Sequence, residues 1–577
     1  MSDAILPART RDRLAERLRR LYGDGFDVTT FLASLDQTVA SFSPEAMRQR
    51  LAALSAEPIA STSRLGLPRT GRADWTERDV VLITYADSLL DGDRRPLRVL
   101  ADVLSDGLLA GCFSDVHLLP CFPFTSDDGF SVSDYETIRP DLGDWSDAVR
   151  LGAAATVAYD LVINHCSASH PWVDEHLSGH RRSFHEVDPA TDLSQVTRPR
   201  STPVLTPFDC ESGQTVHLWT TFSADQLDLD FGDPDVLRRM LGVLLLYLAW
   251  GGRIIRLDAI AFLWKEIGTT CLHLPQTHEV VKLMRDIVDA VAPDAVLLTE
   301  TNVPHAENVS YFGDGDEAHL VYQFSLAPLL LDAYVHGDAG YLNGWLASLE
   351  SPPDGCTYFN FTASHDGVGV RPLEGLAPPE RLEGIIRRVE ENKGLVSMRR
   401  QPDGSESPYE LNITWWSAIA VEDNERTLRR FLATQMIQLT LQGVPGVYVQ
   451  SVFGLPNWSD GVSETGRART INRRRLTLDQ IERWSAEQPI RHRVLRGMRR
   501  LLAKRRTVPA FAPNASQEIL DLGPGIVAVG RDAGAVVMLA NVTDQRQRVM
   551  LGEKTIGLDA DAACWIIDGR RFDAAAA

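Results

Sequence analysis

Near the start of the chain, apolar residues recur at three- and four-residue intervals: Leu14, Leu18 and Leu21, then Met47, Leu51 and Leu54. That spacing puts them on one face of a helix, so residues 1–79 are predicted to form a helical extension. Within it, the Ser-, Pro-, Arg- and Gly-containing stretch Ser61–Arg72 reads as a linker. From Val80 onward, short β-rich apolar runs alternate with longer helical ones. The predicted strands are Val80–Tyr85, Val116–Leu119, Val157–Asn164, Arg253–Ala259, Ala295–Glu300, Leu320–Phe324, Tyr358–Ser364 and Gly446–Gln450. Helical stretches such as Arg95–Leu109, Asp235–Trp250 and Glu279–Val291 separate them. Eight strands divided by helices predict the α/β class and a (β/α)8 TIM barrel over residues 80–507. Two insertions break the alternation. Residues 166–223, rich in His, Pro, Ser and Thr, form an inserted domain after the third strand. Residues 399–416 follow a helix after the seventh. Beyond an Arg-rich helix at Ile490–Arg506, short runs at Ile519–Leu522, Ile526–Val529, Ala535–Ala540 and Arg546–Leu551 predict a small all-β domain over residues 508–577.

Composition narrows the function. The longest apolar run, Met240–Trp250, is far shorter than the ~20 residues of a membrane span. The first twenty residues contain no apolar core of a secretory signal. Lys and Arg number 58 against 78 Asp and Glu, a net charge of −20. The average field therefore repels nucleic-acid phosphates and anionic lipid, although a local basic pocket is allowed. Seven cysteines, with no CxxC pair, fit a reducing compartment and argue against a structural zinc site. A cytoplasmic protein is expected, with no nucleic-acid or membrane partner; self-association is left open.

A barrel enzyme carries its chemistry at the C-terminal ends of its strands. The fourth strand ends in Arg256-Leu257-Asp258. Residues two apart point to the same side, and a guanidinium beside a carboxylate keeps it ionised, as a nucleophile requires; a strand-end salt bridge has the same pattern. The fifth ends in Glu300, a general acid if its pKa is raised and a solvated loop residue otherwise. The seventh ends in Ser364-His365-Asp366, which alone reads as a local turn. The third ends in Asp160…Asn164-His165, which alone suits a metal or capping role. Asp127-Asp128-Gly129-Phe130, after the second strand, alone reads as a polar turn.

Taken in order, the segments DLVINH, GGRIIRLDA, LLTE and ASHD resemble the motif set of glycoside hydrolase family thirteen, the α-amylase clan of retaining α-glucoside enzymes. The resemblance runs from about Val80 to the C-terminus. It implies that Asp258 is the nucleophile, Glu300 the acid/base and Asp366 the transition-state stabiliser. It also implies that Arg256 holds the nucleophile ionised and that His165 and His365 bind glucose hydroxyls. Asp127-x-Gly129-Phe130 resembles the glucose-pocket motif of the sucrose phosphorylase subfamily. Tyr409-Glu410-Leu411-Asn412 and Arg469-Thr470-Ile471-Asn472-Arg473 resemble two more of its signatures. The segment from Glu300 through Asn302 and His305 to Phe312, the loop QSVFGLPNWSDGVSETGRARTINR and the N-terminal extension are more similar to its glucosylglycerate phosphorylase branch. The implied reaction is that of 2-O-α-glucosyl-D-glycerate with phosphate, giving α-glucose 1-phosphate and D-glycerate. Sucrose, sucrose 6′-phosphate and glucosylglycerol phosphorylases are the alternatives, as is an α-glucosidase or transglucosylase. Acceptor specificity is assigned to Asn302–His305, Val368–Pro372 and Phe453–Arg473, and a shared anion site to Arg469, Arg473 and His305. The same arginines as a solvated basic loop are the competing reading. The small-molecule glucoside and phosphate are the expected partners. No metal and no cofactor is expected, phosphate being a co-substrate.

Overall fold

The structure, a computed structural model, describes residues 5–200, 202–400, 405–422 and 424–575. Residues 401–404 of the expected second insertion, and residues 1–4 and 576–577 of the expected terminal regions, lie outside these. Eight strands close into a barrel: β1 (Val81–Thr84), β2 (Asp115–Leu118), β3 (Thr156–Val162), β4 (Ile254–Asp258), β5 (Val296–Thr299), β6 (Leu320–Tyr322), β7 (Thr357–Asn360) and β8 (Val444–Tyr448). Every neighbouring pair is parallel, and β8 closes on β1. Nearly every strand residue is buried, because the interior is filled by side chains and the exterior is covered by helices. The helix Pro234–Ala249 takes proline at its first turn and buries eleven side chains, which accounts for the long apolar run.

Register positions the chemistry. Asp160 on β3 pairs with Arg256 on β4, Val162 pairs with Asp258, and Leu298 on β5 pairs with Arg256. Alternation then sends Arg256 and Asp258 to the same side of β4. The inserted domain rises from a short antiparallel stem, His165–Ser167 with Gln226–Asp228, and carries a hairpin of Leu205–Asp209 and Thr215–Trp219.

Three expectations about the periphery change. The N-terminal region, helices α1 (Ala8–Tyr22), α2 (Val28–Ser41) and α3 (Pro44–Leu54), shares the barrel's core: Leu14 and Leu18 are buried, and Arg17 Nε reaches Asp286 Oδ2 at 2.7 Å. The stretch expected as a linker is a strap. Arg69 Nη1 donates to the Leu248 carbonyl at 2.7 Å, Nη2 to Gly252 at 2.9 Å and Nε to Asp294 at 2.8 Å. The backbone N–H of Gly66 caps Ala249 O, and that of Arg69 caps Val291 O, each at 2.8 Å. Two helix C-termini need partners for their last carbonyls, and the strap supplies them. The second insertion starts earlier than residue 399: Leu395–Arg400 and Glu406–Asn412 form a hairpin that adds Val368–Gly369 as a third strand. The C-terminal region is a five-stranded antiparallel sheet plus the hairpin Gln547–Leu551/Lys554–Leu558. Three of its strands, Lys554–Leu558, Ala563–Ile567 and Arg570–Asp573, go beyond the sequence expectation.

Candidate active site

At the end of β4, Arg256 lies inside the barrel, 3 % exposed, and binds Asp160 and Asp258 with one terminal nitrogen; the contact with Asp258 Oδ1 is 2.9 Å. Its other terminal nitrogen is 3.9 Å from Glu300 Oε2. Asp160 is held on its far side by His117 Nε2 at 2.8 Å, and Arg256 and His117 keep its carboxyl below the usual range against the cost of burial. Directly after Asp258 the chain takes a left-handed turn at Ala259, φ 51°. A non-glycine residue rarely adopts this conformation. The turn points the Ala259 N–H at Glu300 Oε2, 3.0 Å away, and so fixes that carboxyl beside Asp258.

Burial pushes both carboxyls up, Asp258 to about 7 and Glu300 to about 7. Like charge adds to this, Asp160 and Asp366 raising Asp258 and Asp258 and Asp366 raising Glu300, whereas Arg256 pulls both down. The pair therefore holds a single proton around neutrality. Arg256 decides where it sits: it makes a hydrogen bond to Asp258 and only a long contact to Glu300, so the proton resides on Glu300. One ionised and one protonated carboxyl side by side are what a retaining glycosidic displacement uses.

Around this pair a pocket closes. Phe130 stacks on His365 with ring centres 4.7 Å apart and planes within 8°. Burial, with Arg473 and Arg256 nearby, holds His365 well below its ordinary pKa, so the ring is neutral; its Nδ1 has no hydrogen-bond partner. His165 is likewise pushed down by burial and donates from Nε2 to the Phe130 carbonyl at 2.9 Å. Asp127 and Asp128 both have φ near +50°, a strained turn that aims Asp127 at the pocket, where Gln226 Nε2 reaches it at 3.3 Å. Asn302 also lines the pocket, and its Oδ1 is buried without a hydrogen-bond partner among the described residues. A Cβ on Gly369 would lie 2.5 Å from that oxygen, so only glycine allows the approach.

Asp127, Phe130, His165, Asp258, Glu300, Asn302, His365, Asp366 and Arg469 line one cavity, with Arg256 immediately beneath. The expected anion ligands divide. Arg469 lines the pocket, but its donors are committed: Nε and Nη2 grip Glu410 at 3.0 and 2.6 Å, and Nη1 lies 2.7 Å from Asp366 Oδ1. Arg473 stands behind the wall, donating to the His365 carbonyl at 3.0 Å and binding Asp128. It braces two loops and does not face the cavity. His305 is also outside the lining and meets the Trp345 ring edge-on at 5.9 Å. The rim contains arginines that the motifs do not include: Arg198 and Arg200 from the inserted domain, Arg371 after β7 and Arg399 in the hairpin. Arg399 Nη2 binds Glu374 at 2.8 Å, and Arg371 Nε is 4.0 Å from the same carboxylate. Arg200 lies over the Tyr409 ring at 5.8 Å. Local clusters such as Arg198-Pro199-Arg200 in an acidic chain were the available signal.

Residues 112–343 match the alpha amylase catalytic domain family. Over 535 residues the chain is 43% identical to a glucosylglycerate phosphorylase of Spirochaeta thermophila, covering 90% of this chain and 91% of that one. It is 28% identical over 471 residues to a sucrose phosphorylase of Agrobacterium vitis, covering 77% and 90%. The crystal structure of sucrose 6F-phosphate phosphorylase from Thermoanaerobacter thermosaccharolyticum superposes with a TM-score of 0.72 at 24% identity, over 86% of this chain and 98% of that chain, a likeness of fold.

Proposed function

The chain belongs to the glucosylglycerate phosphorylase family of α-amylase-type barrel enzymes, and from that premise we propose that it converts 2-O-α-glucosyl-D-glycerate and phosphate to α-D-glucose 1-phosphate and D-glycerate. Glu300 gives its proton to the glycosidic oxygen while Asp258 attacks the anomeric carbon. The C–O bond to glycerate breaks and a β-glucosyl ester to Asp258 forms. Glycerate leaves. A phosphate oxygen then attacks the same carbon and frees Asp258, and Glu300 takes up the phosphate proton where one is present. Two inversions give net retention. Neutral His165 and His365, with Asp127, hold glucose hydroxyls; Asp366, fixed by Arg469, stabilises the positive charge that develops on the sugar.

The observation that carries this reading is Glu300, raised to about 7 by burial, beside an Arg256-bound Asp258, at the base of a pocket rimmed by Arg198, Arg200, Arg371 and Arg399. Guanidinium groups suit a carboxylate in the first half-reaction and phosphate in the second, because both are oxyanions that accept paired N–H donors. The proposed reaction uses no metal, and a cytoplasmic location is part of the proposal. The test is release of glucose 1-phosphate with inorganic phosphate from glucosylglycerate, sucrose, sucrose 6′-phosphate and glucosylglycerol. Release from glucosylglycerate in strong preference to the others is expected. Free glucose formed at a rate independent of phosphate overturns the reading in favour of a hydrolase.

A further inference from the structure

A second cavity, about 760 Å3, adjoins the catalytic pocket. The two share Thr197, Arg198, Arg371 and Arg399 as a common wall, so these guanidinium groups border both spaces. The outer cavity is otherwise bounded by the inserted domain, including Gln195 and His217, and by Thr270. Among the described residues no Asp or Glu lines it, in a chain whose net charge is −20. The one carboxylate paired with both Arg371 and Arg399 is Glu374, which lies outside the lining. Two guanidiniums on one carboxylate leave a positive charge, and their mutual repulsion, with burial, depresses the Arg399 pKa. Arg371 Nε is moreover buried without a hydrogen-bond partner among the described residues.

We infer that this outer cavity is an antechamber that holds a small oxyanion against the shared arginine wall before it passes into the catalytic pocket. The inference rests on the phosphorylase reading and extends it. While the glucoside fills the inner pocket, its glycerate carboxylate occupies the inner side of the wall. Phosphate is needed at that place only after glycerate has left, and every delay leaves the glucosyl ester open to water. An anion already held on the other side of the same arginines meets that need, and positive walls without carboxylates raise its local concentration. Glycerate carboxylate has the same oxyanion chemistry; phosphate is assigned because it is the species that must arrive second.

The test uses the full chain with inorganic phosphate as the probe. His217→Glu puts a carboxylate in the antechamber at a residue absent from the catalytic pocket; His217→Gln is the neutral control. The KM for phosphate is expected to rise on the order of tenfold in His217→Glu and to stay near wild type in His217→Gln. Glucosyl transfer to water without phosphate, and the KM for D-glycerate in the reverse direction, are expected to be unchanged. Gln195→Glu repeats the charge from a solvent-facing position if His217→Glu does not fold. An unchanged phosphate KM in the folded carboxylate variants overturns the antechamber, and a rise confined to the D-glycerate KM overturns its assignment to phosphate. A wild-type enzyme that releases no glucose 1-phosphate from any glucoside would instead overturn the phosphorylase reading, so the two failures are told apart.

Discussion

The floor and the rim of the catalytic pocket are both built on arginine, but in opposite ways. At the floor, Arg256 is enclosed by carboxylates: one terminal nitrogen binds Asp160 and Asp258, the other lies 3.9 Å from Glu300, and His117 closes the network from behind. At the rim, Arg371 and Arg399 have one carboxylate between them among the described residues, and Arg200 lies over a tyrosine ring. A buried guanidinium surrounded by counter-charges fixes the geometry of the carboxylates it holds. An under-neutralised cationic rim has unspent charge for an anion that comes and goes. The difference separates the part of the site that performs bond chemistry from the part that selects what leaves and what enters.

The comparison is broken most severely at the floor. Asp258→Ala is expected to lower turnover by at least ~10⁴-fold with little change in melting temperature, read by glucose 1-phosphate release and thermal unfolding. Near-normal turnover in that variant would remove the nucleophile assignment. Glu300→Gln is expected to cost roughly 10²–10⁴-fold with glucosylglycerate and far less with α-glucosyl fluoride, whose leaving group needs no proton. The same proton sets the pH profile. Glu300 acts when protonated and is raised to about 7, so kcat should fall as pH rises through that value. Asp258 acts when ionised and is also raised to about 7, so kcat should fall as pH drops below it. A narrow optimum near neutrality follows, and Glu300→Gln with the fluoride should lose the alkaline limb.

At the rim the expected effects are smaller and of another kind. Arg399→Ala or Arg371→Ala should raise the KM for phosphate and for D-glycerate by about 10-fold to 100-fold, the size of a charge-assisted hydrogen bond, while α-glucosyl fluoride hydrolysis stays near wild type. Equal losses in both assays would erase the distinction between floor and rim. Far from either, Arg69→Ala removes four hydrogen bonds from the buried strap and leaves Asp294 short of a partner. A loss of about 3 kcal/mol in unfolding free energy is expected, with kcat for the remaining folded enzyme unchanged.

Legibility followed the same division. The floor could be read because strand ends are short, alternate strictly and sit at known places in a barrel: four segments in order located Asp258, Glu300, His165 and His365-Asp366, all of which meet in one cavity. The fold divides the loop Arg469–Arg473, with Arg469 in the pocket lining and Arg473 outside it, because a run of basic residues does not disclose its partners. Arg469 turned to Glu410 and Asp366, and Arg473 turned to Asp128 behind the wall. His305 followed its short helix toward Trp345. The strap at Ser61–Arg72 has a linker's composition, yet its arginines and backbone N–H groups are consumed by helix ends close by in space and far away in sequence.

By itself, the sequence determined the barrel, its order of strands and the strand-end carboxylates that meet in one cavity, since alternation and strand-end position are local properties of the chain. Only the tertiary structure decided which carboxyl keeps the proton and which arginines face an anion. Proton placement depends on burial and on the difference between a 2.9 Å and a 3.9 Å contact to one guanidinium. The rim gathers Arg198, Arg200, Arg371 and Arg399 from loops about 200 residues apart, and no local pattern encodes which arginines so distant in sequence line one pocket.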